Sequence, residues 1–254
     1  MLRVEQMTIR RQDNTLLNDV SFEVGARQLI ALIGHNGSGK STLIKALAGE
    51  MDCTQGGATL DERSIHEYGG KALARKMAYL PQQLPEAAGF SVRELVMLGR
   101  YPHQKWLQKP SQADHDKVSE AMRVTQVEQF ADRLTNTLSG GERARVWLAM
   151  CLAQDTDYLL LDEPLAALDM HYQIEVIGLI RRLVDERGLS VVIIIHDINL
   201  AAQYADRIIA LKGGRICHNG DVLSTMQSSV LHDIFNVTMQ LMTHPVTGRP
   251  VAVA

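Results

Sequence analysis

The residues with the clearest chemistry form a glycine-rich segment at positions 34–41. It reads Gly-His-Asn-Gly-Ser-Gly-Lys-Ser, fits the phosphate-binding pattern G-x4-G-K-[ST], and lies between a predicted strand and a predicted helix. The glycines let the backbone wrap closely around phosphate groups, and the helix N-terminus adds positive potential there. Lys40 supplies a cation for the β- and γ-phosphates, and the Ser41 hydroxyl can ligate Mg²⁺. The segment predicts a nucleoside triphosphate site formed by Gly34, His35, Asn36, Gly37, Ser38, Gly39, Lys40, Ser41 and Thr42.

Two adjacent carboxylates, Asp162 and Glu163, follow an apolar run that predicts a buried strand. A strand of this kind that ends in Asp commonly delivers a carboxylate to Mg²⁺ at the edge of a parallel sheet. We expect Asp162 to face the metal through its water shell and Glu163 to polarise an attacking water. Acids after a strand also commonly begin an ordinary loop. Their position downstream of the phosphate loop favours the catalytic interpretation.

A second helix start with glycines lies at residues 138–143, which read Leu-Ser-Gly-Gly-Glu-Arg. Ser139 and Glu142 form a capping box, so the plain interpretation is the beginning of a helix. Gly140 and Gly141 also expose backbone N–H groups that can bind an anion. One chain has little use for a second phosphate site beside its own phosphate loop. Two copies that face head to tail could each offer this site to the γ-phosphate of the other, so the segment predicts a homodimer.

Residues 138–143 resemble the signature motif of the ABC ATPases, and further motifs of that family follow in order over nearly the whole chain. Gln82 matches the Q-loop glutamine, which in the family touches Mg²⁺ and water. Asp169 matches the D-loop, which crosses the dimer interface. His196 matches the switch histidine, which contacts the γ-phosphate and positions the glutamate that follows the apolar strand.

The resemblance implies that two copies enclose two ATP-Mg²⁺ and relax after hydrolysis. It assigns catalysis to Glu163, His196 and Gln82, and the metal to Ser41, Gln82 and Asp162. ATP is then bound by the phosphate loop of one copy and by Ser139, Gly140, Gly141 and Asp169 at the interface.

Two positions depart from the usual family pattern. Family members often carry an aromatic residue on the first strands that stacks on adenine, and the corresponding position here is Arg11. A guanidinium can also lie flat on a base, so Arg11 is a candidate adenine contact, with a solvated basic turn as the alternative. Leu165 and Ala166 stand where the family usually has Thr and Ser, which removes hydroxyls from the interface but leaves the acids and Asp169.

The elements that must position these motifs alternate between strand and helix. Apolar strands are predicted at residues 28–34, 77–82, 157–164 and 190–197, with helical stretches between them, which indicates a mainly parallel sheet covered by helices. Residues 2–30 and 56–62 have the alternation of a small antiparallel sheet, and residues 208–220 predict a hairpin that turns at Gly213 and Gly214. The alternation therefore predicts an α/β fold with a mainly parallel core sheet, an N-terminal antiparallel β subdomain and an inserted helical subdomain. Together with the motifs, the resemblance implies that this fold is that of an ABC-type phosphate-loop ATPase.

The segment between residues 85 and 137 shows no strand pattern, and its helix-start signals predict an inserted helical segment. Ser91 and Glu94 form a capping box at the start of one helix, a polar loop follows at 103–110, and Ser111 caps a second helix. We therefore divide residues 1–254, a single ATPase domain, into a core of 1–85 and 136–254 and a helical subdomain of 86–135.

Composition limits the partners. The net charge of −3 gives no basic excess for a phosphate polymer, which argues against nucleic acid. The three cysteines have no metal or CxxC spacing, which suits a reducing cytosol. The first twelve residues lack the apolar core of a secretory signal, and no apolar run approaches the roughly 20 residues that cross a bilayer. If the protein serves a membrane, it therefore does so from the outside, docked to another chain. The family resemblance implies a peripheral protein on the cytoplasmic face of the inner membrane, with polytopic permease subunits as partners and a periplasmic binding protein acting indirectly.

Several local strings resemble the ATPases that energise import of iron chelates, haem and cobalamin. They lie at residues 32–40, 79–85, 92–96, 99–102, 196–199 and 244–250, and the nearest resemblance is to ferric hydroxamate siderophore importers. The tail also resembles that of the ferric citrate importer. Haem or cobalamin import is the alternative, and a non-transport ABC ATPase acting on DNA or ribosomes is a more distant one. Those proteins carry long coiled coils or paired ATPase domains, which are not seen here.

Overall fold

The chain divides into two units, one containing Met1–Glu67 and Arg181–Ala254 and the other Tyr68–Ile180. The computed structural model describes residues 1–105, 108–166 and 168–254. The predicted polar loop at 103–110 and the predicted D-loop segment at 164–169 thus include positions, 106–107 and 167, that lie outside the described residues.

The strands of the described residues are β1 (Leu2–Arg11), β2 (Asn14–Val24), β3 (Leu29–Ile33), β4 (Gln55–Leu60), β5 (Arg63–Ser64), β6 (Met77–Leu80), β7 (Tyr158–Leu161), β8 (Ser190–Ile194), β9 (Arg207–Lys212), β10 (Arg215–Asp221), β11 (Gln240–Thr243) and β12 (Pro250–Val253). The α-helices are α1 (Lys40–Leu47), α2 (Gly70–Ala74), α3 (Val92–Leu98), α4 (Gln112–Val124), α5 (Gly140–Ala153), α6 (Met170–Arg187), α7 (Ile198–Tyr204), α8 (Val222–Thr225) and α9 (Ser228–Phe235). No α-helix within the described ranges is both long and apolar enough to cross a bilayer.

The first unit begins with an antiparallel sheet in the order β2-β1-β4-β5. At the start of β1, Leu2 and Val4 are buried while Arg3 and Glu5 are exposed, because successive side chains of a strand point to opposite faces. The antiparallel sheet predicted for residues 2–30 and 56–62 is confirmed, except that residues 29–30 already belong to β3.

The same unit contains the strand that leads into the phosphate loop. β3 runs parallel to both β8 and β9, and all residues of β3 and β8 are buried, as in a sheet covered on both faces. β9 and β10 form the predicted hairpin, in which Lys212 pairs with Arg215. Gly213 and Gly214 make its turn with φ of +56° and +76°.

The second unit contains the parallel pair β6 and β7 and the helices α3, α4 and α5. Each of these helices begins with a capping box, in which Ser91, Ser111 and Ser139 accept a bond from the amide three residues later. The three predicted caps are confirmed. Together with the parallel pairs of the first unit, these elements confirm the α/β fold class.

A buried ion pair holds the end of α3 against its neighbours. Arg100 Nε donates to Asp114 Oδ1 over 2.9 Å and Nη1 donates to the Ala153 carbonyl over 2.8 Å. The preceding Gly99 lets the backbones approach closely, because a Cβ there would lie 2.2 Å from the Met150 carbonyl oxygen. Hydrogen bonds from Ser111 and from Arg100 lower the pKa of Asp114 to about 2, so the pair stays charged at neutral pH. Packing thus accounts for the residue types at Gly99 and Arg100, which belong to one of the strings named in the sequence analysis.

Candidate functional site

The phosphate loop connects β3 to α1 through two sharp backbone turns. Gly34 follows β3 with φ of +139°, and a Cβ there would lie 2.2 Å from the Leu211 carbonyl oxygen. Gly39 precedes α1 in a left-handed conformation with φ of 104°. Only glycine satisfies both the conformation and the close approach at position 34, so the residue type there is dictated by the backbone. These turns aim the N-terminus of α1 at the space that the loop encircles.

The Lys40 side chain closes this loop from within. Its ammonium donates to the carbonyls of Gly34 and His35 over 2.8 and 2.9 Å, and its residue is only 5% exposed. The first turn of α1 contains no acidic residue, so the positive potential of the helix N-terminus is not offset there. The loop therefore concentrates a cation and oriented amides in one place.

The same loop contains a buried hydroxyl that lacks a protein partner. Ser38 Oγ is buried and finds no hydrogen-bond partner among the residues that the structure describes. A buried polar atom without a partner is costly, and a bound group that accepts its proton removes that cost. The loop thus fits an oxyanion ligand such as a phosphate. Ser41 and Thr42 follow at the start of α1 and are half-buried, while His35 packs its ring edge-on against Phe235.

The predicted acids lie directly after β7 in the second unit. Asp162 is 1% exposed and its amide donates to the Leu80 carbonyl at the end of β6 over 2.9 Å. Glu163 is half-buried and has φ of +53°, a conformation that non-glycine residues adopt only when their surroundings hold them there. The two neighbouring acids therefore differ in exposure, because Asp162 is buried and Glu163 is partly accessible.

Gln82 and Glu163 meet although 81 positions separate them. Gln82 Nε2 donates to Glu163 Oε2 over 2.7 Å. The amide thereby fixes one carboxylate oxygen of Glu163, as a side chain that orients a general base would do. Nothing in the spacing of the two residues could have indicated this contact.

The signature segment forms the beginning of α5 as a capped helix. The Ser139 hydroxyl accepts from the Glu142 amide over 3.3 Å, and the Ser139 amide donates to the Glu142 carboxylate over 2.8 Å. This bond lowers the pKa of Glu142, which therefore stays ionised. The amides of Gly140 and Gly141 are in the first turn, where an α-helix offers them no backbone partner.

Tyr172 packs behind this helix start and was not among the sequence-based candidates. A Cβ on Gly141 would lie 3.3 Å from Cγ and Cδ2 of the Tyr172 ring. The Arg145 guanidinium lies over the same ring, 5.4 Å from its centroid. A side chain at position 141 would therefore require the Tyr172 ring to shift by a few tenths of an ångström. The tyrosine lies three residues after Asp169, but its role depends on a neighbour 31 positions earlier.

Asp169 marks the start of α6 as a helix cap. Its Oδ1 accepts from the Tyr172 amide over 3.1 Å. Gln173 then donates through Nε2 to the carbonyls of Leu165 and Leu168 over 3.2 and 3.0 Å. Leu165 and Leu168 are buried and Ala166 is exposed, so the described part of this segment is held by the Gln173 hydrogen bonds to its carbonyls and by two apolar side chains.

His196 and Arg11 lie in the first unit. His196 follows β8 and is exposed, and the next residue, Asp197, caps α7 by accepting from the Asn199 and Leu200 amides over 2.7 and 3.1 Å. Arg11 is exposed at the end of β1, where it pairs with Asn14 across the turn to β2. Its adenine contact stays a prediction, as do the roles of the other site residues.

A family described as ABC transporter matches residues 17–166 of the chain. Three individual relatives align with nearly the whole chain. The petrobactin import ATP-binding protein FpuD of Bacillus anthracis is 38% identical over 99% of this chain and 92% of its own length. The hemin import ATP-binding protein HmuV of Rhodococcus jostii (strain RHA1) is 42% identical over 97% of this chain and 84% of its own. The iron(3+)-hydroxamate import ATP-binding protein FhuC of Bacillus subtilis (strain 168) is 37% identical over 98% and 93%.

Solved structures of ABC transporters and ATP-binding cassettes are also similar to this chain. An inward-facing transporter described as being of the metal-chelate ABC type has a TM-score of 0.85 and 25% identity, covering 100% of this chain and 97% of its own. A dimeric ATP-binding cassette in a post-hydrolysis state with ADP and Pi has a TM-score of 0.77 and 25% identity, covering 87% of this chain and 99% of its own.

The backbone of the phosphate loop yields a matched pair of variants. Gly34→Ala should weaken nucleotide binding at least about tenfold, because its Cβ would meet the Leu211 carbonyl at 2.2 Å and force the loop to move. Gly37→Ala is the control, since its φ is also positive, at +76°, but no heavy atom lies within 4 Å of the added Cβ. We expect a clearly smaller loss for that variant. Titration with a fluorescent ATP analogue measures both. Equal affinities for the two variants would contradict this account of the loop.

Proposed function

We propose that this chain, an ATPase that belongs to the ABC transporter family, is the energy-supplying subunit of an importer for iron chelates. The observation that carries the hydrolytic part is the bond between Gln82 and Glu163, which orients a carboxylate directly after the buried Asp162. The import and cargo parts rest on the relatives, whose names refer to petrobactin, hemin and iron(3+)-hydroxamate.

The phosphate loop binds ATP through its amides, Ser38 and Lys40. Its amides and Ser38 receive phosphate oxygens, and Lys40 exchanges its loop carbonyls for the β- and γ-phosphates. The ligands proposed for Mg²⁺, Ser41, Gln82 and Asp162, all offer oxygen, the donor atom that this ion prefers. When bound, Mg²⁺ supplies neutralising charge to the β- and γ-phosphate oxygens. Because Gln82 donates to Glu163 through its amide nitrogen, its amide oxygen is the atom available to the metal.

Hydrolysis then requires a water molecule aligned with the γ-phosphate. Glu163 accepts a proton from that water as general base, and the Gln82 bond keeps its carboxylate in a fixed orientation. His196 contacts the γ-phosphate and supports the position of Glu163. Asp162, which is buried, remains the acid directed to the metal. The adjacent acids thus have different tasks.

A second copy completes each site. We propose that Ser139, Gly140 and Gly141 of one copy bind the γ-phosphate held by Lys40 of the other, and that Asp169 lies at the interface. The capped start of α5 supports this, because the first-turn amides of Gly140 and Gly141 have no backbone partner within the helix and can donate to an anion. Loss of the γ-phosphate removes the charge that both copies bind, so the dimer relaxes after hydrolysis.

The membrane partner would receive this motion near the segment that follows Gln82. In the second unit a cavity of about 230 Å³ is lined by the segment 85–88, by Thr135 and Asn136, and by Arg143 and Trp147 of α5. The cavity therefore lies between the chain that leads from Gln82 and the helix that begins at the signature motif. We propose that a polytopic permease docks here, with the ATPase on the cytoplasmic face of the inner membrane and a periplasmic binding protein delivering cargo. A ferric siderophore of the hydroxamate type is the proposed cargo, and haem or cobalamin is the second candidate.

The two acids can be separated by isosteric variants. Glu163→Gln keeps shape and hydrogen bonding but removes the base, so we expect ATP turnover to fall at least about 10²-fold. The ATP-bound dimer should become longer lived, because the charge that repels the γ-phosphate is lost. Asp162→Asn should instead weaken Mg²⁺ dependence and nucleotide retention and trap no dimer. Turnover assays and gel filtration with ATP-Mg²⁺ measure both. Wild-type turnover in Glu163→Gln, or a more stable dimer in Asp162→Asn, would mean that the roles are assigned wrongly.

The transport assignment is tested by isolating the chain from detergent-extracted membranes. We expect a polytopic permease to co-purify, and the reconstituted complex with its binding protein to import a ferric hydroxamate in an ATP-dependent manner. Haem and cobalamin serve as competing cargoes in the same vesicles. Uptake of haem or cobalamin but not of the hydroxamate would support the second candidate. Isolation with nucleic acid or ribosomes and without a permease would contradict import.

A further inference from the structure

The end of the chain forms a hairpin that lies against the helix following His196. This tail hairpin, residues 240–253, consists of β11, β12 and the turn between them, with Gln240 paired to Val253. β12 packs on α7, and its Ala252 is buried, whereas all four residues of β11 are exposed. The hairpin therefore uses one strand to cover α7.

Asn199 ties the first turn of α7 to the hairpin. Its Nδ2 donates to the Ala252 carbonyl over 3.0 Å, and its Oδ1 accepts from the Ala252 amide over 2.8 Å. The side-chain amide thus satisfies both backbone groups of one β12 residue, as a neighbouring strand would. Asn199 lies three residues after His196.

Arg249 ties the other end of the same helix. Its guanidinium donates to the carbonyls of Ala202 and Gln203 in the last turn of α7, over 3.0 and 2.5 Å. These carbonyls have no partner within the helix, and a cation there also complements the helix dipole. Two side-chain contacts therefore hold α7 at its two ends.

The turn of the hairpin is built to present Arg249. His244 Nδ1 accepts from the Val246 and Thr247 amides over 3.2 and 3.1 Å, and the His244 amide donates to the Arg249 carbonyl over 2.8 Å. Gly248 completes the turn with φ of +68°. Residues 244–250 thus form a structural unit that places Arg249 against α7.

The helix that is held in this way needs external support. α7 has seven residues, which is short of the length at which a helix is stable by itself. Asp197 caps the helix, and His196 is the residue directly before this cap. The orientation of α7 therefore affects the position of the His196 backbone. The contact at Asn199 lies three residues from His196 along the chain, and the two Arg249 contacts lie six and seven residues from it.

We propose that the tail hairpin holds α7 so that His196 keeps the orientation required for hydrolysis, with Asn199 and Arg249 as positioning residues. This inference rests on the proposed role of His196. The alternative is that the hairpin only protects α7 from water and contributes stability without influencing the catalytic step. The two differ in which kinetic constant responds and in whether a conservative cation restores it.

The test uses the assembled transporter with Asn199→Ala, Arg249→Ala and Arg249→Lys. We expect each alanine variant to lower kcat by about tenfold, because loss of one or two hydrogen bonds changes an equilibrium by that factor. The KM for ATP should stay within about twofold, because the phosphate loop is untouched. Amide hydrogen exchange of α7 should accelerate, and Arg249→Lys should recover most of kcat. Met242→Ala, on exposed β11, is the control and should behave as wild type.

His196→Ala distinguishes failure of this inference from failure of the proposed function. Full turnover in His196→Ala would refute the proposed role of the histidine itself. If His196→Ala is inactive while both alanine variants keep wild-type kcat, the tail hairpin does not position His196. The same conclusion follows if kcat falls without faster exchange in α7, or if Arg249→Lys recovers none of it while all variants melt early.

Discussion

A triphosphate concentrates several negative charges, and the phosphate loop meets them with backbone amides and a single ammonium. In the structure that ammonium, on Lys40, already bonds to the carbonyls of Gly34 and His35, so its interaction with phosphate is an exchange of partners. The buried Ser38 hydroxyl has no partner in the described part of the chain, which makes the loop more favourable with an anion than without one. In the proposed dimer, further donors to the γ-phosphate come from a second helix start, the capped N-terminus of α5 in the other copy. The charge of the triphosphate is thus the constraint on which the proposed dimer, the proposed role of the signature motif and the proposed timing of hydrolysis depend.

Two motif residues, and the residue next to a third, cap helices. Ser139 caps α5, Asp169 bonds to the first turn of α6, and Asp197, next to His196, caps α7. A cap fixes the direction in which the chain enters its helix, and therefore fixes the neighbouring functional side chain. The motifs combine chemistry and local structure in the same few residues. A substitution in them thus changes geometry together with reactivity.

The elements that local pattern determines were predictable from the sequence. The strands before and after the phosphate loop, the capping boxes at Ser91 and Ser111 and the turn at Gly213 and Gly214 all follow from residue types within a few positions. Contacts between distant positions were not predictable, because spacing carries no information about them. Gln82 meets Glu163 across 81 positions, and Asn199 meets Ala252 across 53. The family resemblance identified the importance of several such residues, and the hydrogen bonds give a physical reason for it.

In the proposed dimer, the signature segment of one copy binds the nucleotide held by the phosphate loop of the other copy. The most direct measurement is a structure of the Glu163→Gln chain with ATP and Mg²⁺, in which slow hydrolysis should preserve the complete site. We expect each γ-phosphate to be contacted by Lys40 of one copy and by the amides of Gly140 and Gly141 of the other. Contact between Gly141 and the nucleotide bound by Lys40 of the same copy, or a dimer in which residues 139–141 touch no nucleotide, would contradict it.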